Sequence, residues 1–259
     1  MAVTNFIQTI WSKKIQDDLE LKCKLVDNCL REYEGDCKYA QSVKILGVGE
    51  PTIGDYTGAD ITIEEMTDRG QVLTIDQAKY FAFYVDDVDK AQSVPGLPEK
   101  YQEKAVHGLA VARDTYVATL IQGATNKTTV TMTEEGFKKG IDDAIVELRE
   151  RNFDEDGVIE MSPAFYNLFK NHLITLSTNN PELIKKGVVG MYDNFECIMS
   201  NNLKTPCDIR GKKAIAFAGQ INEVEALRAE KKFCDIVRGL DTFGAKVIDE
   251  ARIQVLVTA

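Results

Sequence analysis

Apolar residues recur every three or four positions in several parts of the chain, and this spacing predicts amphipathic helices. One such pattern runs from Ile7 to Leu19, and a longer one runs from Leu97 to Gly123. A third helix is expected to begin at Thr133, because a threonine side chain can accept a hydrogen bond from the first free helical amides. Its expected buried face consists of Phe137, Ile141, Ala144, Ile145 and Leu148.

The stretch from Ser42 to Val85 instead alternates in the manner of strands, and it predicts a long hairpin with an irregular acidic tip. In Tyr80–Val85 both alternating sets of side chains are apolar, so we expect this strand to be covered on both faces. An isolated two-stranded arm is only marginally stable in water, which makes a neighbouring subunit a natural cover.

The rest of the chain alternates short strands with helices, without a repeat or a flexible linker. A helix is predicted after Ser162, because Pro163 suits the first helical position. The predicted strands are Val158–Met161, Phe195–Met199, Ala214–Ala218 and one long final strand from Lys246 to Val257. Together these patterns predict a compact fold of the α+β class.

The composition excludes some classes of partner. The 259 residues are 44% hydrophobic and 28% charged, which is typical of a globular protein. The net charge of -10, with no stripe of Lys and Arg, argues against tight binding to DNA or to an anionic membrane. No apolar run approaches the roughly 20 residues that span a bilayer, so no membrane partner is expected.

The candidate chemistry is sparse. Six cysteines without a CxxC pair, and only two histidines, do not make a zinc pattern. Without a secretory signal pattern at Met1–Asn5, reduced thiols in a cytosolic compartment are expected. The glycines from Gly47 to Gly54 lack the Lys and Ser/Thr of a phosphate loop.

Two acidic groups are candidate metal sites. Asn152, Asp154 and Asp156 have the spacing of a calcium loop, but Pro163 replaces the closing Glu, which favours a turn. Asp86, Asp87 and Asp89 could bind magnesium, so a metal-dependent enzyme stays an alternative, although a solvated loop is favoured. No catalytic residue, cofactor site or metal site is predicted.

Four segments carry a resemblance to a known family. They are Gly49–Tyr56, Ile75–Phe83, Ser200–Leu203 and Arg238–Val247. In their order and spacing the chain resembles the major capsid protein of tailed bacteriophages, whose fold is named after the Hong Kong phage. The resemblance covers nearly the whole chain and implies a structural protein rather than an enzyme.

The resemblance also implies a division of the chain into parts. These are an N-terminal arm (1–41), an extended hairpin loop (42–85), a peripheral domain with a long spine helix (86–156), an axial domain (157–240) and a C-terminal strand that returns to the peripheral domain (241–259). The subunit-interface candidates are Phe6, Ile7, Trp11, Asp55, Tyr56, Glu64, Glu65, Arg69, Phe81 and Phe83.

The implied function is self-assembly, as hexamers and pentamers, into an icosahedral shell around double-stranded phage DNA that is not bound specifically. The implied partners are a scaffolding protein, a portal and decoration proteins, and the implied location is the virion, assembled in the bacterial cytoplasm. No Lys lies between Glu50 and Gly70, which argues against the Lys–Asn cross-link of some members. The closest alternative is the shell of an encapsulin, a cellular compartment of the same fold.

Overall fold

The computed structural model describes residues 23–34, 42–45, 53, 70–86, 97–175, 190–229 and 234–258. Within these ranges the helices are α1 (Leu97–Gln122), α2 (Glu134–Glu150) and α3 (Pro163–Thr175). The strands are β1 (Ser42–Ile45), β2 (Gln71–Thr74), β3 (Gln77–Asp86), β4 (Lys127–Val130), β5 (Gly157–Met161), β6 (Met191–Tyr192), β7 (Phe195–Met199), β8 (Cys207–Gly211), β9 (Ile215–Arg228), β10 (Cys234–Val247) and β11 (Ile253–Thr258).

The larger sheet has six strands in the order β4-β11-β8-β5-β7-β6. Strands β5 and β8 lie at its centre and are buried along their whole length. Helices α2 and α3 cover one face, where Phe137 meets Phe165 edge to face at 5.5 Å between ring centroids. Helix α1 and the segment Cys23–Leu30 lie against the other face through Ile253 and Val255 of β11. Both faces of this sheet are therefore covered within one chain.

The second sheet has three antiparallel strands in the order β3-β10-β9. Its inward residues, among them Val237 and Phe243, join the core that forms around α1. The pairing of β10 with β9 shifts register after Leu240, which places a bulge in the middle of this long ribbon.

The small β1–β2 pair lies beside this sheet. Val43 faces Leu73 across the pair, and both pack against Ala216 and Ala218 of β9. Within the predicted hairpin (42–85), β1 therefore pairs with β2, whereas β3 pairs with β10 of the three-stranded sheet. The predicted tip lies outside the described residues, apart from Ile53.

The predicted helices are confirmed where the structure describes them. The helix predicted from Leu97 to Gly123 is α1, and Thr133 caps α2 by accepting a hydrogen bond from the amide of Gly136 at 3.2 Å. The five residues predicted for the buried face of α2 are all buried. The helix predicted from Ile7 to Leu19 lies outside the described residues.

The prediction of one long strand from Lys246 to Val257 is wrong. Strand β10 ends at Val247, and a short 3-10 helix spans Glu250–Arg252. Asp249 starts that helix because its Oδ1 accepts a hydrogen bond from the amide of Ala251 at 2.9 Å. The chain then enters the other sheet as β11. The strand predicted at Ala214–Ala218 is too short, since β9 continues to Arg228 as the partner of β10.

The sheets cross the predicted boundaries of the chain. Strand β11 lies between β4, from the range 86–156, and β8, from the range 157–240. Strands β9 and β10 belong by their sheet to β3 rather than to β5 and β8. Which parts of the chain would act as arm, hairpin loop, peripheral domain and axial domain stays a prediction.

Candidate assembly surface

Strand β3 turns two sets of aromatic side chains to opposite faces of the three-stranded sheet. Phe81 and Phe83 point inward, are half-buried and pack against the core around α1. Phe83 stacks on Tyr101 at 5.8 Å between ring centroids, and it stacks on Phe81 at 6.3 Å. The inward set therefore attaches the strand to its own chain.

The outward-facing aromatic side chains of β3 are exposed. Tyr80 is 80% exposed and Tyr84 is 71% exposed. Leu240 and Leu227, from β10 and β9, extend this apolar surface and are about half as exposed. Helix α1 covers one face of β3, and no described element covers the other, so cover on both faces stays a prediction. We call this second face the open face, defined by Tyr80, Ala82, Tyr84, Leu227 and Leu240.

A groove of about 460 Å³ runs along part of the open face. Behind the groove, on the inward face, Gly239 leaves room for the ring of Phe81, because a Cβ at that position would lie 2.5 Å from it. An ion pair borders the groove, with Arg238 Nε donating to Glu225 Oε2 at 2.7 Å. The groove is thus apolar at its centre and polar at its rim, which is the arrangement of protein interfaces. Its lining consists of Tyr80, Phe81, Ala82, Glu225, Arg238, Gly239 and Leu240.

The sheet behind the open face is held in place by a buried ion pair. Arg113 of α1 donates to both oxygens of Asp241 on β10, from Nε at 2.9 Å and from Nη2 at 2.5 Å. Its guanidinium also lies over the rings of Phe217 and Phe243, at 5.6 and 5.9 Å from their centroids. These contacts bind the sheet to α1, so the open face belongs to a preorganised surface.

The structure describes two of the ten predicted interface residues. Phe81 and Phe83 lie on the inward face, where they contact their own chain. The others lie outside the described residues: Phe6, Ile7, Trp11, Asp55, Tyr56, Glu64, Glu65 and Arg69. Sequence reasoning missed Tyr80, Tyr84 and Leu240, although the apolar character of both faces of Tyr80–Val85 was a signal for them.

The described residues do not form either of the metal sites considered from the sequence. Asp86 ends β3, while Asp87 and Asp89 lie outside the described residues. Among the described residues, no group of three His, Cys, Asp or Glu side chains is placed to hold a metal ion. The turn predicted around Asn152–Asp156 connects α2 to β5. None of the described helices is long and apolar enough to cross a membrane.

The described cysteines are buried and free of disulfides. Burial raises the pKa of the Cys23 thiol to about 12 and that of Cys29 to about 11. Since the thiolate is the reactive form, these two side chains are inert at neutral pH. They act as small apolar side chains of the core.

Several solved structures have a similar architecture. A chain from Mycobacterium phage Che8 superposes with a TM-score of 0.76 at 24% identity, over 90% of each chain. The capsid structure of Cyanophage P-SCSP1u gives 0.71 at 17% identity, over 89% of this chain and 86% of the other. The virus-like particle from Pyrococcus furiosus gives 0.61 at 11% identity, over 96% and 99%.

No family model matches the sequence, and no curated protein matches it either. The likeness is thus carried by three-dimensional structure, and it extends over nearly the whole of each chain. The chain has the fold of the major capsid proteins of tailed phages, as the resemblance implied.

Proposed function

We propose that this chain is a phage coat protein that assembles, as hexamers and pentamers, into an icosahedral shell around double-stranded DNA. The observation that carries the proposal is the fold, which matches the Cyanophage P-SCSP1u capsid structure along nearly all of both chains. A match that covers 89% of this chain leaves little of it for a separate function. We infer accordingly that its role is structural and not catalytic.

The open face supports assembly on physical grounds. A large aromatic side chain such as Tyr80 or Tyr84 buries about 150–250 Å² when it is covered. At about 25 cal/mol per Å², each tyrosine could contribute up to a few kcal/mol to an interface, before the entropy cost of association. In a closed shell the same modest contact is repeated at every subunit, and the contacts act together.

We propose a second copy of this chain as the occupant of the open face. The groove is apolar with a paired Arg238–Glu225 rim, so it offers no excess of charge that would select DNA or an anionic membrane. The predicted arm and hairpin, with Phe6, Trp11 and Tyr56 among their candidate residues, are the proposed counterparts on neighbouring subunits.

The remaining partners follow from the proposed role. A scaffolding protein and a portal would direct assembly in the bacterial cytoplasm, and decoration proteins would bind the finished virion shell. The net charge of -10 supports a wall that encloses DNA without binding it tightly.

Expression of the protein, alone and with its neighbouring genes, tests the proposal. Electron microscopy of the high-molecular-weight fraction is expected to show uniform closed shells, or hexamers and pentamers that a scaffold converts to shells. A monomer that does not assemble under either condition would contradict the proposal.

A cellular compartment of the encapsulin type is the second candidate. It is favoured by the match to the virus-like particle from Pyrococcus furiosus, which covers 96% of this chain and 99% of the other. The contents of shells purified from the native source distinguish the two. Packaged DNA that resists nuclease supports the phage coat, whereas a single enzyme as protein cargo supports the compartment.

A further inference from the structure

Three ionisable side chains lie at the centre of the six-stranded sheet. Glu160 on β5 stands directly opposite Asp208 on β8, and Arg210 follows two residues later on the same face of β8. The side chains of all three are fully buried. Charged groups are rarely buried unless they are paired, so it matters which of the two carboxyl groups Arg210 pairs with.

All three nitrogens of the Arg210 guanidinium donate hydrogen bonds. Its Nε donates to Glu160 Oε2 at 3.0 Å, and its Nη2 donates to Glu160 Oε1 at 2.8 Å. The same guanidinium holds the segment Cys23–Leu30, because Nη2 donates to the carbonyl of Leu25 and Nη1 to that of Asn28, both at 2.8 Å. Arg210 is thus a clamp between the sheet and this segment, which follows directly on residues 1–22.

Asp208 is left without a donor. Its nearest contact with the guanidinium, from Arg210 Nε to Asp208 Oδ2, is 3.8 Å, which is too long for a hydrogen bond. Neither oxygen of Asp208 has a hydrogen-bond partner as an acceptor among the described residues. One cation therefore faces two carboxyl groups, and its hydrogen bonds go to only one of them.

The other groups around the cluster do not supply a second positive charge. The segment contributes the thiol of Cys29, 3.6 Å from Arg210 Nη1. Helix α1 contributes Asp114, whose carboxylate accepts hydrogen bonds from the amides of Lys24, Leu25 and Val26. Strand β8 adds the thiol of Cys207, and β11 places the apolar Val255 opposite Asp208. Within the described chain, the cluster favours a neutral second carboxyl group.

We propose that Asp208 carries a proton that it donates to Glu160, and that loss of this proton loosens the clamp that Arg210 holds on Leu25 and Asn28. On ionisation the proton passes to hydroxide, and two carboxylates then compete for one guanidinium. Burial, and next the charge of Glu160, raise the pKa of Asp208 well above its ordinary range, which agrees with this geometry. We call Asp208, Glu160 and Arg210 together the latch. It is a property of the folded subunit and does not depend on the proposed function.

The latch predicts the sign of a pH dependence. The folded state keeps a proton that the unfolded chain releases near pH 4, so stability falls as the pH rises above that value, until folded Asp208 ionises. Within this window the unfolding equilibrium constant rises by up to about tenfold per pH unit from this group. Other groups titrate as well, so the informative quantity is the difference between the wild type and a variant.

Asp208→Asn is the variant that tests the latch. Its amide can donate to Glu160 but cannot ionise, so the difference from the wild type is expected to grow in favour of the variant as the pH rises from 5 to 9. Urea unfolding measures the global effect. Hydrogen exchange of the Leu25–Asn28 amides, corrected for intrinsic rates, measures the segment, and extra opening at high pH is expected only in the wild type.

Asp241→Asn is the matched control, because Asp241 is equally buried but fully paired with Arg113. It should destabilise the protein and leave the slope against pH unchanged. A wild type and D208N with parallel pH profiles would overturn the proposal. If D208N does not fold, carbon-13 NMR of the aspartate carboxyls in the wild type decides: one protonated carboxyl at neutral pH supports the latch, and full ionisation overturns it.

Discussion

The two sheets of this chain solve the same packing problem in different ways. The six-stranded sheet is covered on one face by α2 and α3 and on the other by α1 and the segment Cys23–Leu30. The three-stranded sheet has α1 on one face and the open face on the other, where Tyr80 and Tyr84 are largely exposed. The first sheet is complete within the chain, whereas the second sheet is the part that a neighbouring copy would complete.

The difference extends to the charged side chains. In the six-stranded sheet Arg210 is fully buried and makes its hydrogen bonds within the chain. On the open face Arg238 pairs with Glu225 at the surface, with more than half of its side chain exposed. Buried charges stabilise one arrangement strongly because a broken pair is costly there, while exposed pairs contribute little.

The largest effect is expected from Arg210→Met, which keeps much of the side-chain volume but removes the charge. Glu160 and the carbonyls of Leu25 and Asn28 would lose their hydrogen bonds from Arg210, and the free energy of unfolding should fall by about 3–5 kcal/mol. Urea unfolding measures the change. The control is Arg238→Met on the open face, which should cost less than about 1 kcal/mol. Equal losses for the two variants would contradict the distinction between the sheets.

A smaller effect is expected from Phe81→Ala on the inward face of β3. Phe81 is only half-buried, so the loss should be about 1–2 kcal/mol, below the roughly 3–5 kcal/mol expected for the fully buried Phe137→Ala. Thermal and urea unfolding of both variants give the comparison. A larger loss for Phe81→Ala than for Phe137→Ala would show that the three-stranded sheet dominates the stability of the subunit.

Thr133→Ala tests the N-terminal cap of α2, one of the two helices that cover the six-stranded sheet. The variant loses the cap on the amide of Gly136, and the stability should fall by about 1 kcal/mol. Thr133→Ser keeps the hydroxyl and is expected to recover most of the loss in the same unfolding assay. If serine destabilised the protein as much as alanine does, the cap would not be the cause.

The smallest effect on the subunit, and the largest on assembly, is expected from Y80T/Y84T. Threonine suits a strand, so the free energy of unfolding should change by less than about 0.5 kcal/mol. The two rings are lost from the proposed interface, so sedimentation should show subunits in place of shells. Y80F/Y84F keeps the rings and should assemble normally. Normal shells from Y80T/Y84T would show that the open face is not an assembly interface.

Much of the fold was predictable because local patterns determine it. Three local patterns each predict helical structure: the apolar spacing in Leu97–Gly123, the cap at Thr133 and the apolar face of α2. The end of β10 had a local signal that periodicity alone does not weigh: Asp249 and Glu250 interrupt the apolar alternation, and the Asp249 side chain starts a new helical turn. The length of β9 depends on its pairing with β10, which is a tertiary effect.

The candidate surface and the latch were harder to predict. The apolar character of both faces of Tyr80–Val85 indicated a need for cover, but only the structure shows which face lacks it within the chain. Asp208 and Arg210 alternate with apolar residues and so look like the polar side of a half-exposed strand. Their burial follows from the segment Cys23–Leu30, which packs on that face from the other end of the sequence.

The exposure of Tyr80 and Tyr84 in assembled particles is the most direct test of the central claim. Hydroxyl-radical footprinting, read out by mass spectrometry, compares the two tyrosines in free subunits and in purified shells. If a neighbouring copy covers the open face, both residues are labelled strongly in the subunits and are protected in the shells, with the exposed Tyr101 as an internal reference. Equal labelling of Tyr80 and Tyr84 in both states would contradict the claim that a neighbouring copy covers the open face.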